Sequence, residues 1–168
     1  MVLGSFTGIR IGIATVKAFV DSLNLKYVGV NSLEGLSLNV ESTGIICSLI
    51  DARRNNVFAE IIEKIDNNYI IRRNASFENI TDLLEELQQI NPEYSITFVG
   101  DGATKNKDTI LNYLPNSSFV DNNELCAKNI GILGYRNRFN PDYLKLEPLY
   151  LRKSEAEQKM EEKLNAEK

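Results

Sequence analysis

Histidine is absent from all 168 residues. That gap removes the Ser-His-Asp triad, the Cys-His dyad, imidazole metal sites and the usual general base working near neutral pH. Cysteine is nearly absent too. Cys47 and Cys126 are too few for a four-ligand zinc cage and suggest no disulfide framework, which fits reduced thiols and a cytoplasmic location. No stretch reaches the roughly 20 apolar residues of a membrane span. The start, Met1-Val2-Leu3-Gly4-Ser5-Phe6, lacks the basic and apolar regions of a signal peptide. Positive charge is also in deficit: 19 Lys and Arg face 23 Asp and Glu, for a net charge of -4 and a pI near 5.0. Phosphate binding needs clustered Lys and Arg, so this balance argues against binding nucleic acid unaided. What remains is 43% hydrophobic and 25% charged, a globular composition with room for one domain or two small subdomains.

Periodicity organises the chain. Phe6, Ile9, Ile13, Val16, Val20 and Leu23 alternate steps of three and four, predicting a helix from about Phe6 to Leu23. Ile11, Ala14, Ala18 and Phe19 widen its apolar surface until it is apolar nearly all round. Such a helix is expected to be buried on more than one side, and one of those sides can belong to a partner. Tyr27 to Val30 reads as a short strand, then a helix from Ser32 to Val40 capped by Ser32. Ile45 to Ile50, Val57 to Lys64 and Tyr69 to Arg73 read as an antiparallel meander, with turns at Arg53-Arg54-Asn55-Asn56 and Asp66-Asn67-Asn68. A helix over Glu78 to Ile90 ends before Pro92. A buried strand follows over Ile96 to Val99, then a helix from Gly102 to Leu114 stopped by Pro115. Ser118 to Val120 predicts a last short strand, Glu124 to Arg138 a last packed helix, and Ser154 to Lys168 a charged, frayed helical tail. Strands, helices and a meander together predict a mixed α/β layer.

Three motifs invite chemistry. Gly4-Ser5-Phe6-Thr7-Gly8 opens the first helix, where small residues and hydroxyls suit an anion at a helix N-terminus, a capped start or a protein contact. It matches neither the P-loop nor G-x-G-x-x-G. Gly4, Gly8 and Gly12 fall on one helical face, a spacing that lets a second backbone approach, from within the domain or from a partner. Asp51-Ala52-Arg53-Arg54 sits at a hairpin, where two arginines beside an aspartate suit an anion fork or a plain Asp–Arg surface pair. Gly100-Asp101-Gly102-Ala103 has the look of a nucleotide-binding turn and equally of a glycine turn before a helix. Glu85 and Glu86 face solvent. Glu60 and Glu63 fall on opposite faces of a regular strand, so neither pair makes an acid and base. No catalytic set assembles.

The segments together resemble one family. Gly4-Ser5-Phe6-Thr7-Gly8-Ile9-Arg10-Ile11-Gly12 is similar to its GSFTGLRIG signature, and Val28-Gly29-Val30-Asn31-Ser32-Leu33-Glu34 to its VGVSSLE segment. Leu49-Ile50-Asp51-Ala52-Arg53-Arg54 with Val57-Phe58 follows IDARR-x-x-VY apart from the aromatic. Gly100-Asp101-Gly102-Ala103, then Pro148-Leu149-Tyr150-Leu151-Arg152 and Glu155-Ala156-Glu157, complete the order. The family is TsaB, also called YeaZ, and the resemblance spans Leu3 to about Glu157. It implies actin-like (ASKHA, ribonuclease H-like) α/β lobes. It implies a non-catalytic scaffold subunit of the bacterial tRNA threonylcarbamoyladenosine synthase, paired with TsaD and TsaE and able to form homodimers. ATP and metal are then expected on the TsaD partner, with no cofactor bound by this chain alone. Contact with tRNA is expected only through the assembled complex.

The resemblance also implies an interface made by Gly4, Ser5, Phe6, Thr7, Gly8, Arg10, Ile11 and Gly12. Asp51, Arg53 and Arg54 would brace the hairpin or meet a partner. The family's signature usually begins Gly-Pro-Gly, where this chain has Val2-Leu3-Gly4, and its usual amino-terminal strands and first helix have no counterpart here. The expectation is therefore a remnant of the first lobe over residues 1–30, a complete second lobe over 31–153 and a tail over 154–168. The first helix should expose apolar surface and favour aggregation or self-association. Rival readings are a peptidase or nucleotide-hydrolase enzyme, or a gene fragment without function.

Overall fold

Alternation along β1 (Gly44–Asp51) sorts the molecule into layers. Cys47 and Leu49 point to one face of the sheet, and Ile46, Ser48 and Ile50 to the other. In the computed structural model, which describes residues 6–90 and 95–152, five strands form one sheet in the order β3-β2-β1-β4-β5. β2 (Asn56–Ile65) and β3 (Asn68–Asn79) run antiparallel as the expected meander, and β3 is longer than its apolar stretch suggested. β4 (Ile96–Val99) lies parallel to β1 and β5 (Ser118–Phe119) parallel to β4, each reached through helices.

One face carries the larger core. Cys47, Leu49, Val57, Ala59, Ile96 and Phe98 meet Ile80, Leu83, Leu84 and Leu87 of α3 (Ile80–Ile90), joined by residues of α4 (Asp101–Lys105) and α5 (Lys107–Tyr113). Asn79 starts α3, its Oδ1 accepting from the Thr81 N–H at 2.9 Å and the Thr81 hydroxyl at 2.7 Å. The other face packs Ile46 and Val99 against Leu36 and Val40, in and after α2 (Ser32–Ser37), beside α6 (Ala127–Arg136).

Several expectations are corrected. Tyr27 to Val30 enters no ladder among the described residues; the Gly29 N–H donates to the Tyr143 carbonyl instead, at 2.8 Å. α2 stops at Ser37, and its cap is Asn31, whose Oδ1 accepts from the Leu33 N–H at 3.1 Å. Ser32 lies inside the helix, 3% exposed. The helix after β4 breaks at Asn106, whose backbone N–H and side-chain Nδ2 both donate to the Gly102 carbonyl, at 3.2 and 2.8 Å. α6 is shorter than its apolar pattern at both ends. The charged tail, Pro92, and Gly4 and Ser5 lie outside the described residues.

The first helix forms where expected, as α1 (Phe6–Leu23), but the described structure does not bury it. Only Ile9, Ile13 and Val20 are half-buried, whereas Ile11, Phe19 and Leu23 are 62%, 57% and 62% exposed. The expected exposed apolar surface is therefore present. Among the described residues no helix is long and apolar enough to cross a membrane.

Candidate functional site

α1 presents the residues expected to meet a partner. Phe6 opens it; Thr7, Arg10, Ile11 and Gly12 are all exposed along it. Arg10 ties the helix to the far end of the chain, donating from Nε to the Tyr150 hydroxyl at 2.8 Å with its guanidinium 5.6 Å from that ring's centre. A Cβ built on Gly12 would meet nothing within 4 Å, so no second backbone among the described residues uses that position. A helix with this much apolar surface in water gains stability when something covers it, at roughly 25 cal/mol per Å².

The hairpin motif is held from a different side. Asp51 forms an ion pair with Lys105 of α4 at 2.7 Å, not with either arginine, correcting the Asp–Arg pair. Its Oδ1 accepts from the Arg53 N–H, while its own N–H donates to Asp101 Oδ1, both at 3.1 Å. Burial alone would raise the Asp51 carboxyl. The Lys105 bond, the Arg53 N–H and the nearby cations outweigh it and hold the group below the usual carboxylate range. Gly100 and Gly102 make this contact possible: a Cβ on Gly100 would sit 2.1 Å from the Leu49 carbonyl oxygen, and Gly100 has φ +105°. The Gly-Asp-Gly turn is thus a backbone clamp on β1. At the tip, Arg53, Arg54 and Asn55 have φ of +65°, +51° and +58° in succession. Left-handed backbone disfavours arginine, so the tip holds two cationic side chains at a conformational cost. Among the described residues the bonds of this hairpin run to Asp101 and Lys105 of α4 and, from the Ile80 N–H to the Asn55 carbonyl at 2.9 Å, to α3.

A buried acidic set escaped the sequence reading. Glu60 lies directly across from Ser48 on the α2 face of the sheet and is 2% exposed. The β2–β3 register shifts between Ala59 and Ile61, a bulge that lets the Ala75 N–H reach the Glu60 carboxyl. Asn31 Nδ2 donates to Glu60 Oε1 at 3.2 Å, and Glu34 on α2 accepts from the Tyr143 hydroxyl at 2.7 Å. Burial, followed by the nearness of Glu34, pushes the Glu60 carboxyl up to about 8, and burial also raises Glu34. Tyr143 is raised by burial and by its bond to Glu34. The signal was available: Glu60 shares strand parity with Phe58 and Ile62, in a strand buried along its middle. With Glu60 and Ser48 sealed from solvent, these two groups cannot meet a substrate. Among the described residues no three His, Cys, Asp or Glu gather as metal ligands.

Comparison with known proteins places this architecture. The family model described as TsaD: tRNA N6-adenosine threonylcarbamoyltransferase matches residues 4–159. The tRNA threonylcarbamoyladenosine biosynthesis protein TsaB of Bacillus subtilis (strain 168) is 29% identical over 162 residues, covering 93% of this chain and 69% of that relative. Two Pseudomonas aeruginosa structures share the fold. One is titled as an uncharacterized protein with similarity to peptidase YeaZ, with TM-score 0.65, 18% identity, and 89% and 69% of the two chains covered. The other is titled YeaZ, with TM-score 0.63, 16% identity, and coverage of 88% and 70%. The mixed five-stranded sheet is thus of the actin-like type.

Proposed function

This chain belongs to the tRNA N6-adenosine threonylcarbamoyltransferase (TsaD) family as a TsaB/YeaZ-type member, and from that premise we propose that it is a non-catalytic scaffold subunit of the threonylcarbamoyladenosine synthase. In this reading α1 pairs with TsaD, or with a second copy of the chain, and TsaE joins the pair. ATP and metal belong to TsaD, this chain alone binds no cofactor, and tRNA is met by the assembled complex, in keeping with the net charge of -4.

The observation that supports this reading is the open apolar face of α1, with Ile11, Phe19 and Leu23 more than half exposed. Burial of such a face against another helix is the ordinary way an amphipathic or all-apolar helix is stabilised. Arg53 and Arg54, displayed at a strained tip, are the second contact we assign to a partner.

Co-expression with a TsaD homologue tests the pairing. The full chain should co-purify with TsaD, and a double variant, Ile11→Asp with Phe19→Asp, should not. No complex with the unaltered chain, or equal retention by the double variant, overturns the α1 assignment. Restoration of threonylcarbamoyladenosine in tRNA of cells depleted of their TsaB-type protein tests the wider role.

A further inference from the structure

A cavity of about 140 Å³ lies where α2, the β2–β3 turn, α6 and the Pro141–Tyr143 turn converge. Its lining joins chemistry of opposite kinds. Glu34 brings a carboxyl already fixed by the Tyr143 hydroxyl at 2.7 Å, and Arg136 brings a guanidinium held 5.8 Å from the centre of the Tyr69 ring. Ile62, Ile71 and Leu133 supply apolar surface between these groups. Three asparagines, at positions 67, 68 and 137, add amide donors and acceptors.

We propose that this cavity binds a small zwitterion, a free α-amino acid with an aliphatic side chain, its ammonium on Glu34 and its carboxylate on Arg136. The size fits: a cavity of roughly 150 Å³ holds a molecule as large as benzene, so one of 140 Å³ suits the six to nine or so non-hydrogen atoms of alanine to leucine. The charge pattern fits as well. A carboxylate and a guanidinium on one cavity form charge-assisted bonds to the two ends of a zwitterion, and an aliphatic branch finds Ile62, Ile71 and Leu133. Glu60, buried and bonded to Asn31, is the next carboxyl beyond Glu34 and lies close enough for the two to influence each other. The titratable and charged groups around the cavity are Glu34 on α2, Glu60 on β2, Arg136 on α6, and Asp142 and Tyr143 on the turn. This site is separate from α1 and does not depend on the scaffold role.

Calorimetric titration of the full chain tests the proposal, using valine beside isobutylamine, which lacks its carboxylate, and isovalerate, which lacks its ammonium. Valine should bind at millimolar concentration or better, and each half-analogue should bind at least about tenfold more weakly, since each loses one charge-assisted pair. Arg136→Ala removes an exposed side chain and leaves the fold intact by circular dichroism; it should weaken valine about tenfold while leaving isobutylamine unchanged. Glu34→Gln should do the reverse, weakening isobutylamine and valine but not isovalerate. No binding by valine, leucine or alanine, equal binding of valine and both half-analogues, or an affinity unmoved by both substitutions overturns the assignment.

Discussion

Asp51 and Lys105 meet at 2.7 Å across the junction of β1 and α4, joining the end of a central strand to the helix that follows its parallel neighbour. Lys105 is more than half exposed, so the pair itself is worth little in water, whereas Asp51 also holds the Arg53 N–H that starts the hairpin turn. Lys105→Met should therefore change stability by less than about 1 kcal/mol, and Asp51→Ala by more than Lys105→Met, by about 1–2 kcal/mol. Urea unfolding of the two variants checks the order.

Gly100 leaves no room for a side chain. With φ +105° and the Leu49 carbonyl oxygen 2.1 Å from where a Cβ would sit, Gly100→Ala must move backbone rather than a flexible side chain. A loss of about 2–4 kcal/mol is expected from left-handed strain and overlap together. A denaturation midpoint unchanged from the unaltered chain would contradict the clamp.

Glu60 makes stability depend on pH. Its carboxyl is raised to about 8 in the folded chain, so between the ordinary carboxylate range and pH 8 the folded state holds a proton that the unfolded state has released. Stability is then greatest on the acid side of that window and falls as pH rises through it, by at most about 1.4 kcal/mol per pH unit for this one group, levelling above pH 8. Glu60→Gln keeps the neutral shape and should flatten that slope in urea titrations from pH 5 to 9. An identical slope would mean that Glu60 is not the group responsible.

Arg54→Gly should relax the hairpin tip. Glycine adopts φ +51° without a Cβ clash, so stability should rise by up to about 1 kcal/mol. If the arginine is kept for a partner, the same change weakens retention of TsaD. A variant that is more stable and equally retained would confine Arg54 to the turn.

α1 should govern self-association. Light scattering and binding of a hydrophobic dye should both report the exposed Ile11, Phe19 and Leu23 face, and Phe19→Asp should reduce both while leaving the unfolding of the sheet unchanged. A monomeric chain that binds no dye would argue against an open face.

Local pattern carried much of this fold. Alternation in β1 and β2, the asparagine-rich turns and the face made by Ile80, Leu83, Leu84 and Leu87 are properties of short segments, and they formed where their periodicity put them. Helix ends were less legible. Asn31 displaced Ser32 as a cap because the helix began where its side chain could reach the Leu33 N–H, which neighbouring sequence does not specify.

The sequence by itself determined the family motifs, the absence of histidine chemistry and an α1 too apolar to stand alone. Tertiary structure alone decided which partners the charged groups took. Lys105 lies 54 residues beyond Asp51 and Tyr143 lies 109 beyond Glu34, and each pair exists only because the sheet brings its elements together. Strand alternation put Glu60 and Glu63 on opposite faces, and only the cross-strand register set Glu60 opposite Ser48 beneath α2. Periodicity follows from the local geometry of the chain. Burial, and with it the charge state of a carboxyl, depends on what the rest of the fold lays over it.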